Sequence, residues 1–218
     1  SALLQAKARL FDPDNKENVE QLLFELSLQN TQVAQSLNQI RSSLLTRLKA
    51  SRVSNKSIYW LNLYFIARDI HEQATSNYLH YEHIQQNFSR SDLIFRFQKN
   101  LRLQAQACHD LAQCILHNQQ YQSSQESQIG LNHLESSLKD WIQQHPQNFE
   151  VKNLKLIFNN LKGMHEQFEQ LQYAQPFNET LSQNKQEHLN LLDDDIQGFS
   201  DLVLKIRQQL TPQSALFR

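Results

Sequence analysis

Apolar side chains recur at alternating intervals of four and three residues, and this spacing strongly limits what the chain can fold into. One unbroken series runs Val19, Leu23, Leu26, Asn30, Val33, Leu37, Ile40, Leu44. Such steps keep side chains on one face of an α-helix, whereas a half-buried strand alternates every second residue. With only 3 glycines and 5 valines in 218 residues, the chain also lacks the turn glycines and β-branched residues of a sheet. The spacing therefore predicts an all-α protein with no sheet.

The same spacing divides the chain into six long helical segments. Asp12 followed by Pro13 is a plausible start for the first, and Ser91 is a plausible N-cap for the third. The segment at 58–76 is apolar on several sides, which is typical of a helix buried deep in a bundle. We expect an up-and-down bundle forming a single domain over 1–218. Its long helices span about 12–50, 58–76, 91–115, 131–141, 154–171 and 196–210, with a shorter segment at about 79–88 and a loop at 118–128.

Charge and hydropathy exclude several classes of protein. The 21 Lys and Arg residues nearly balance the 22 Asp and Glu residues, so we expect no nucleic-acid partner. The most apolar stretch, 58–66, is half the length of a membrane span. Cys108 and Cys114 lie six residues apart, which is about 9 Å along a helix and too far for a disulfide. They are expected to be core thiols of a reducing compartment.

The chain lacks the motifs of metal and catalytic sites. None of its 9 histidines follows a glutamate by three residues, as a di-metal bundle requires. The acidic run 193–195 lacks the glutamate that would complete a calcium loop, and negative charge there suits the start of the last helix. No glycine-rich phosphate loop or nucleophile motif is present. We therefore expect no catalytic residue, metal ligand or cofactor, and not an enzyme.

One polar cluster interrupts an otherwise apolar stripe. Ile58, Leu61 and Phe65 continue at helical spacing into Arg68 and Glu72, with Asp69 and His71 beside them. Buried charges are usually paired, and Arg68 and Glu72 are helical neighbours that can pair. The cluster Arg68, Asp69, His71 and Glu72 is thus either a structural device that fixes helix packing or a ligand or gating site. Asn30 and Gln104, single amides in apolar seams, are interpreted as devices that set helix register.

Several segments resemble one bacterial family. They are AKARLFDPD at 6–14, LLTRLKASR at 44–52, YFIARDIHE at 64–72, SDLIFRFQ at 91–98, LQAQAC at 103–108 and LTPQSALFR at 210–218. In order and spacing they resemble the YccS/YhfK group of FUSC-like (fusaric-acid-resistance-like) inner-membrane proteins.

The resemblance implies a place and a role. In such proteins a helical domain lies between two membrane-spanning halves, and relatives are linked to export of aromatic carboxylic acids. The chain would then be the cytoplasmic domain of a transporter, excised from between those halves. Its role would be assembly or regulation, and its partners the membrane-spanning parts of the same polypeptide, or a second copy. The transported substrate is left open by the sequence.

Charge near the ends of the chain and the number of long helices bear on the expected place beside a membrane. Basic residues near both ends favour the cytoplasmic side of a membrane; they are Lys7, Arg9, Lys205, Arg207 and Arg218. An even number of long helices would return both ends of the chain to one pole of the bundle. The alternative is a free-standing helical adaptor that binds partner helices through its heptad faces.

Overall fold

The computed structural model describes residues 1–12, 19–50, 55–76, 87–88 and 91–172. Within them the chain is all-α and contains no strand, which confirms the expected fold class. The helices are α1 (Ala2–Arg9), α2 (Val19–Ala50), α3 (Asn55–Thr75), α4 (Asp92–Leu116), α5 (Gln125–Gln144) and α6 (Val151–Gln172). By its contacts the chain divides into Ser1–Phe177 and Asn178–Arg218, and every described residue belongs to the first unit.

Helix α4 lies at the centre of the main core. Ser91 caps its start as expected, since its hydroxyl accepts a hydrogen bond from the Leu93 amide at 3.2 Å. Its apolar face includes Phe97, Leu101 and Ala105, each at most 1% exposed. This face lets α4 pack against α1, α5 and α6 at once. The expected seam over 91–115 is therefore a real buried face.

Helix α1 was not expected from the sequence. It precedes Asp12, and it packs against both α4 and α2. Leu3, Leu4 and Ala8 are buried, and the ring of Phe11, just after the helix, lies 5.7 Å from that of Phe97. Eight residues are too few to show a helical period, so the sequence offered no clear signal.

Helices α2 and α3 form an antiparallel hairpin. The 32 residues of α2 span about 48 Å, longer than any other described helix. The far half of the hairpin has its own small cluster, in which Leu44, Leu61 and Tyr64 are buried. The expected deep burial of the segment 58–76 is wrong for this half, because most described side chains there are partly exposed.

Buried amides join α4 to its neighbours. Gln104 Nε2 donates to the Leu161 carbonyl of α6 at 2.9 Å, which supports its interpretation as a register device. Asn100 Nδ2 donates to the Gly130 carbonyl of α5 at 3.1 Å. A Cβ at Gly130 would lie 3.0 Å from Asn100 Oδ1, so glycine permits this close approach.

The remaining boundaries differ slightly from expectation. Asn118 adopts φ 53° after α4 ends, and the Ser124 hydroxyl caps α5. Helix α5 thus begins at Gln125, inside the expected loop at 118–128, and ends before Pro146 as expected. The expected helix at 196–210, the termini-at-one-pole argument and most of the segment 79–88 lie outside the described residues. The prediction of a single domain over 1–218 stays a prediction.

Two phenylalanines of α4 provide a matched test of the core. Phe97 is 1% exposed, whereas Phe95 on the same helix is 50% exposed. Phe97→Ala should lower the free energy of unfolding by about 3–5 kcal/mol through lost burial and a cavity. Phe95→Ala should change it by about 0.5 kcal/mol or less. Urea unfolding of both variants measures the difference, and equal losses would contradict the assignment of α4 to the centre of the core.

Candidate functional site

The predicted polar cluster on α3 is divided between different partners. Arg68 pairs with Asp69, its Nη2 lying 2.9 Å from Oδ1, and its guanidinium carbon lies 5.2 Å from the centroid of the Phe65 ring. The structure therefore joins Arg68 to Asp69 rather than to Glu72, which is exposed. His71 bonds to neither Arg68 nor Asp69. Its ring instead forms a hydrogen bond with Asn30 on α2.

Solvent exposure limits what the Arg68–Asp69 pair contributes to stability. The two side chains are 42% and 38% exposed. Ion pairs at this exposure typically contribute about 0–1 kcal/mol, because water screens them. A loss of about 3–5 kcal/mol on removing Arg68 would need a carboxylate left buried and unpaired, and this geometry does not create one.

His71 connects the two helices of the hairpin. Its Nε2 lies 2.8 Å from Asn30 Oδ1, and its backbone carbonyl accepts a hydrogen bond from the Thr75 hydroxyl at 2.8 Å. Because Oδ1 can only accept, Nε2 carries the proton in this pair. Burial lowers the pKa of His71 and so favours the neutral ring. Asn30 thus joins α2 to α3 by a hydrogen bond, which agrees with its interpretation as a device that sets helix register.

His71 also stands on the wall of a cavity of about 230 Å³. The cavity lies where the hairpin enters the main core, and α1, α2, α3, α4 and α6 all contribute side chains to it. Most of its wall is apolar, with residues such as Leu63, Ile70, Leu111 and Phe168. Of the four predicted cluster residues, the structure brings only His71 to this cavity.

Lys7 lies in the interior of the fold. The sequence predicts it as a basic residue near the membrane, but it is only 3% exposed. Its Nζ donates to the Ala74 carbonyl in the last turn of α3 at 2.7 Å. Burial lowers the pKa of Lys7 to about 8. A cation at this position satisfies a carbonyl that the end of a helix leaves unpaired.

A second network missed by the sequence analysis surrounds His165 on α6. Ser127 Oγ lies 3.3 Å from its Nδ1, while Gln128 Oε1 and Glu169 Oε1 lie 2.8 Å and 3.5 Å from its Nε2. A serine, a histidine and a carboxylate can form a nucleophilic site, but a nucleophile must reach its substrate. Ser127 is buried, so this network joins α5 to α6. Ser127 and His165 are 38 positions apart in the sequence, so no local motif indicates this network.

Side chains that can bind metals, and the two thiols, are spread over several of the described helices. In the described part of the chain, no group of three or more His, Cys, Asp or Glu residues is placed to hold a metal ion. The acidic run 193–195 lies outside that part. Cys108 and Cys114 are free thiols packed against the main core, as their spacing predicted. Cys108 stands on the cavity wall, and burial raises its pKa.

Lys7 predicts a specific pH dependence of stability. Between the folded pKa of about 8 and the ordinary value of 10.5, the unfolded chain binds more protons, so the free energy of unfolding rises with pH. From pH 7.5 to 9.5 this lysine alone should add about 2 kcal/mol. Lys7→Met should remove that increment, while Lys99→Met, at an exposed lysine, should keep it. Urea unfolding at the two pH values measures it; equal increments in wild type and Lys7→Met would contradict the burial of a titrating amine.

Comparison with known proteins finds one family model and two relatives that are similar to this chain. The model of a family described as FUSC-like inner membrane protein yccS matches residues 1–168. The inner membrane protein YccS of Escherichia coli is 35% identical over 215 residues, which cover 99% of this chain and 30% of that protein. An uncharacterized protein of Haemophilus influenzae is 28% identical over 216 residues, covering 99% of this chain and 29% of that protein. No solved structure matches.

The chain therefore spans just under a third of the length of these relatives. Among the described helices, none combines the length and the apolar character needed to cross a membrane.

Proposed function

Because the chain belongs to the FUSC-like family of inner membrane proteins, we propose that it is the cytoplasmic domain of a membrane transporter. In this proposal it lies between two membrane-spanning halves of one polypeptide and serves their assembly or regulation. The observation that carries the proposal is the similarity to the inner membrane protein YccS, of which this chain covers 30%. We propose a binding role rather than a catalytic one, with organic acids as the class of transported substrate.

The structure removes part of the charge argument for the cytoplasmic side, because two of the basic residues near the amino end have partners within the domain. Lys7 is buried against α3 and so is not available to a membrane surface. Arg9 is half exposed and pairs with Glu25 at 2.5 Å. Sidedness therefore depends on the remaining basic residues near the carboxyl end, at 205, 207 and 218.

A reporter inserted into the full-length protein tests the location. Pro146 and Gln147, between α5 and α6, are both exposed, so an insertion between them should disturb the fold little. A green fluorescent protein inserted there should fluoresce, because it does so only on the cytoplasmic side. Alkaline phosphatase at the same site should be inactive. Active phosphatase with a dark fluorescent protein would overturn the proposed side.

The matched phenylalanine variants test the proposed role in assembly. In the full-length protein, Phe97→Ala should reduce the amount of assembled complex recovered from the inner membrane, because it destabilises the domain core. Phe95→Ala should leave that amount unchanged. Native gel electrophoresis of detergent extracts gives the readout. If both variants assembled and retained substrate export like wild type, the domain would have neither role.

A further inference from the structure

The cavity beside His71 is suited to one chemical class of ligand. Protein interiors are normally packed with few voids larger than a water molecule. At about 230 Å³ this cavity exceeds the roughly 150 Å³ that is known to accept benzene in an engineered apolar site. Ala67 of α3 lies on the wall and is also exposed, so the cavity reaches the surface there. A molecule of about one substituted ring has room to enter and to fit.

The wall determines the charge that such a molecule can carry. Its lining includes no Lys, Arg, Asp or Glu. Its polar side chains are those of Ser1, His71 and Cys108. The α-amino group of Ser1 lies beside Cys108 on this wall, but Ser1 is exposed, so water screens its charge. A ligand charge placed farther inside would lose its hydration without gaining an opposite charge, which is strongly unfavourable. The interior of the cavity therefore selects against free carboxylates and amines.

His71 supplies a hydrogen-bonding group whose polarity we infer from its partner Asn30. Its Nε2–H is directed to Asn30 Oδ1 at 2.8 Å. In a neutral imidazole with a protonated Nε2, the other nitrogen is an acceptor. A ligand that complements this ring therefore carries a donor, such as an N–H or O–H group.

We propose that this cavity is a binding site for a small, neutral, largely apolar molecule with one hydrogen-bond donor, and that His71 receives that donor. Ligands of this kind bind in apolar pockets in which a few polar groups fix their orientation. The proposal concerns the cavity itself and does not depend on which side of the membrane the domain occupies. Its failure would leave the proposed location and role untouched.

Indole is a suitable probe, since it is neutral, has one N–H donor and fits the size. Isothermal titration of the purified 218-residue chain, with the α-amino group of Ser1 acetylated to remove its charge, should show saturable binding of indole. Toluene, which lacks the donor, should bind more weakly, and benzoate should not bind measurably. No binding of indole, or benzoate binding as tightly as indole, would overturn the proposal.

Two leucines of α4 give a matched pair for locating the site. Leu111 lies on the cavity wall, whereas Leu116 is 75% exposed and is not on it. Leu111→Trp should fill the cavity and weaken indole binding at least tenfold, while Leu116→Trp should bind like wild type. Unchanged indole affinity in folded Leu111→Trp would place the binding elsewhere and refute the assignment.

A second variant decides the role of His71 and covers the case in which Leu111→Trp does not fold. His71→Leu removes the acceptor, so the preference for indole over toluene should fall about tenfold within that one variant. A ratio of affinities measured in the same protein is insensitive to a general loss of stability. An unchanged preference would show that His71 does not receive the donor and would refute the proposal.

Discussion

Burial of one face of α4 is the constraint on which the described fold depends. Helices α1, α5 and α6 each cover part of that face, and Phe97 and Leu101 lie where they meet. Apolar burial alone would let these helices slide past one another, since it has little directionality. The amides of Asn100 and Gln104 remove that freedom, because each donates to one backbone carbonyl of a neighbouring helix. Asn100 also donates to the Arg96 carbonyl of α4 itself, so the penalty for a shift of register falls on Gln104. Its buried amide would lose the Leu161 carbonyl, at a cost of about 1–3 kcal/mol.

The α2–α3 hairpin joins the bundle through α1, which packs against α2, and through α6, which packs against α3. Near Asn30 and His71 it joins the main core, whereas its far half rests on the separate cluster around Leu44, Leu61 and Tyr64. A region with few buried apolar contacts opens at lower free energy than the global unfolding. The cavity and the Lys7–Ala74 contact both lie at the end of α3 that enters the core. Occupation of the cavity would therefore act where the α2–α3 hairpin meets the main core.

Periodicity predicted much of this architecture and failed for identifiable reasons. It placed α2 to α6, the Ser91 cap and the amides in the seams, because those signals are local in the sequence. It missed α1, whose eight residues are too short for a period, and it overstated the burial of α3. Periodicity shows which face of a helix is apolar but not whether a neighbour covers it. The i, i+4 rule suggested Glu72 for Arg68, yet a half-exposed guanidinium can equally turn to the adjacent Asp69. The burial of Lys7 depends on Ala74, 67 residues away, and no local pattern records that contact.

The chemistry of the cavity limits which molecules it can hold. Organic acids, proposed above as the transported substrates, are anions at neutral pH. The side chains that line the cavity include no cation, and burial favours the neutral form of His71. The α-amino group beside Cys108 belongs to Ser1, which is exposed to water. Inside the cavity an organic acid would thus lose hydration without meeting an opposite charge, whereas a neutral ligand needs none. Under the two proposals, the molecule that binds the domain differs from the molecule that is transported. A ligand of that kind could influence transport only by binding one arrangement of the hairpin and bundle better than another.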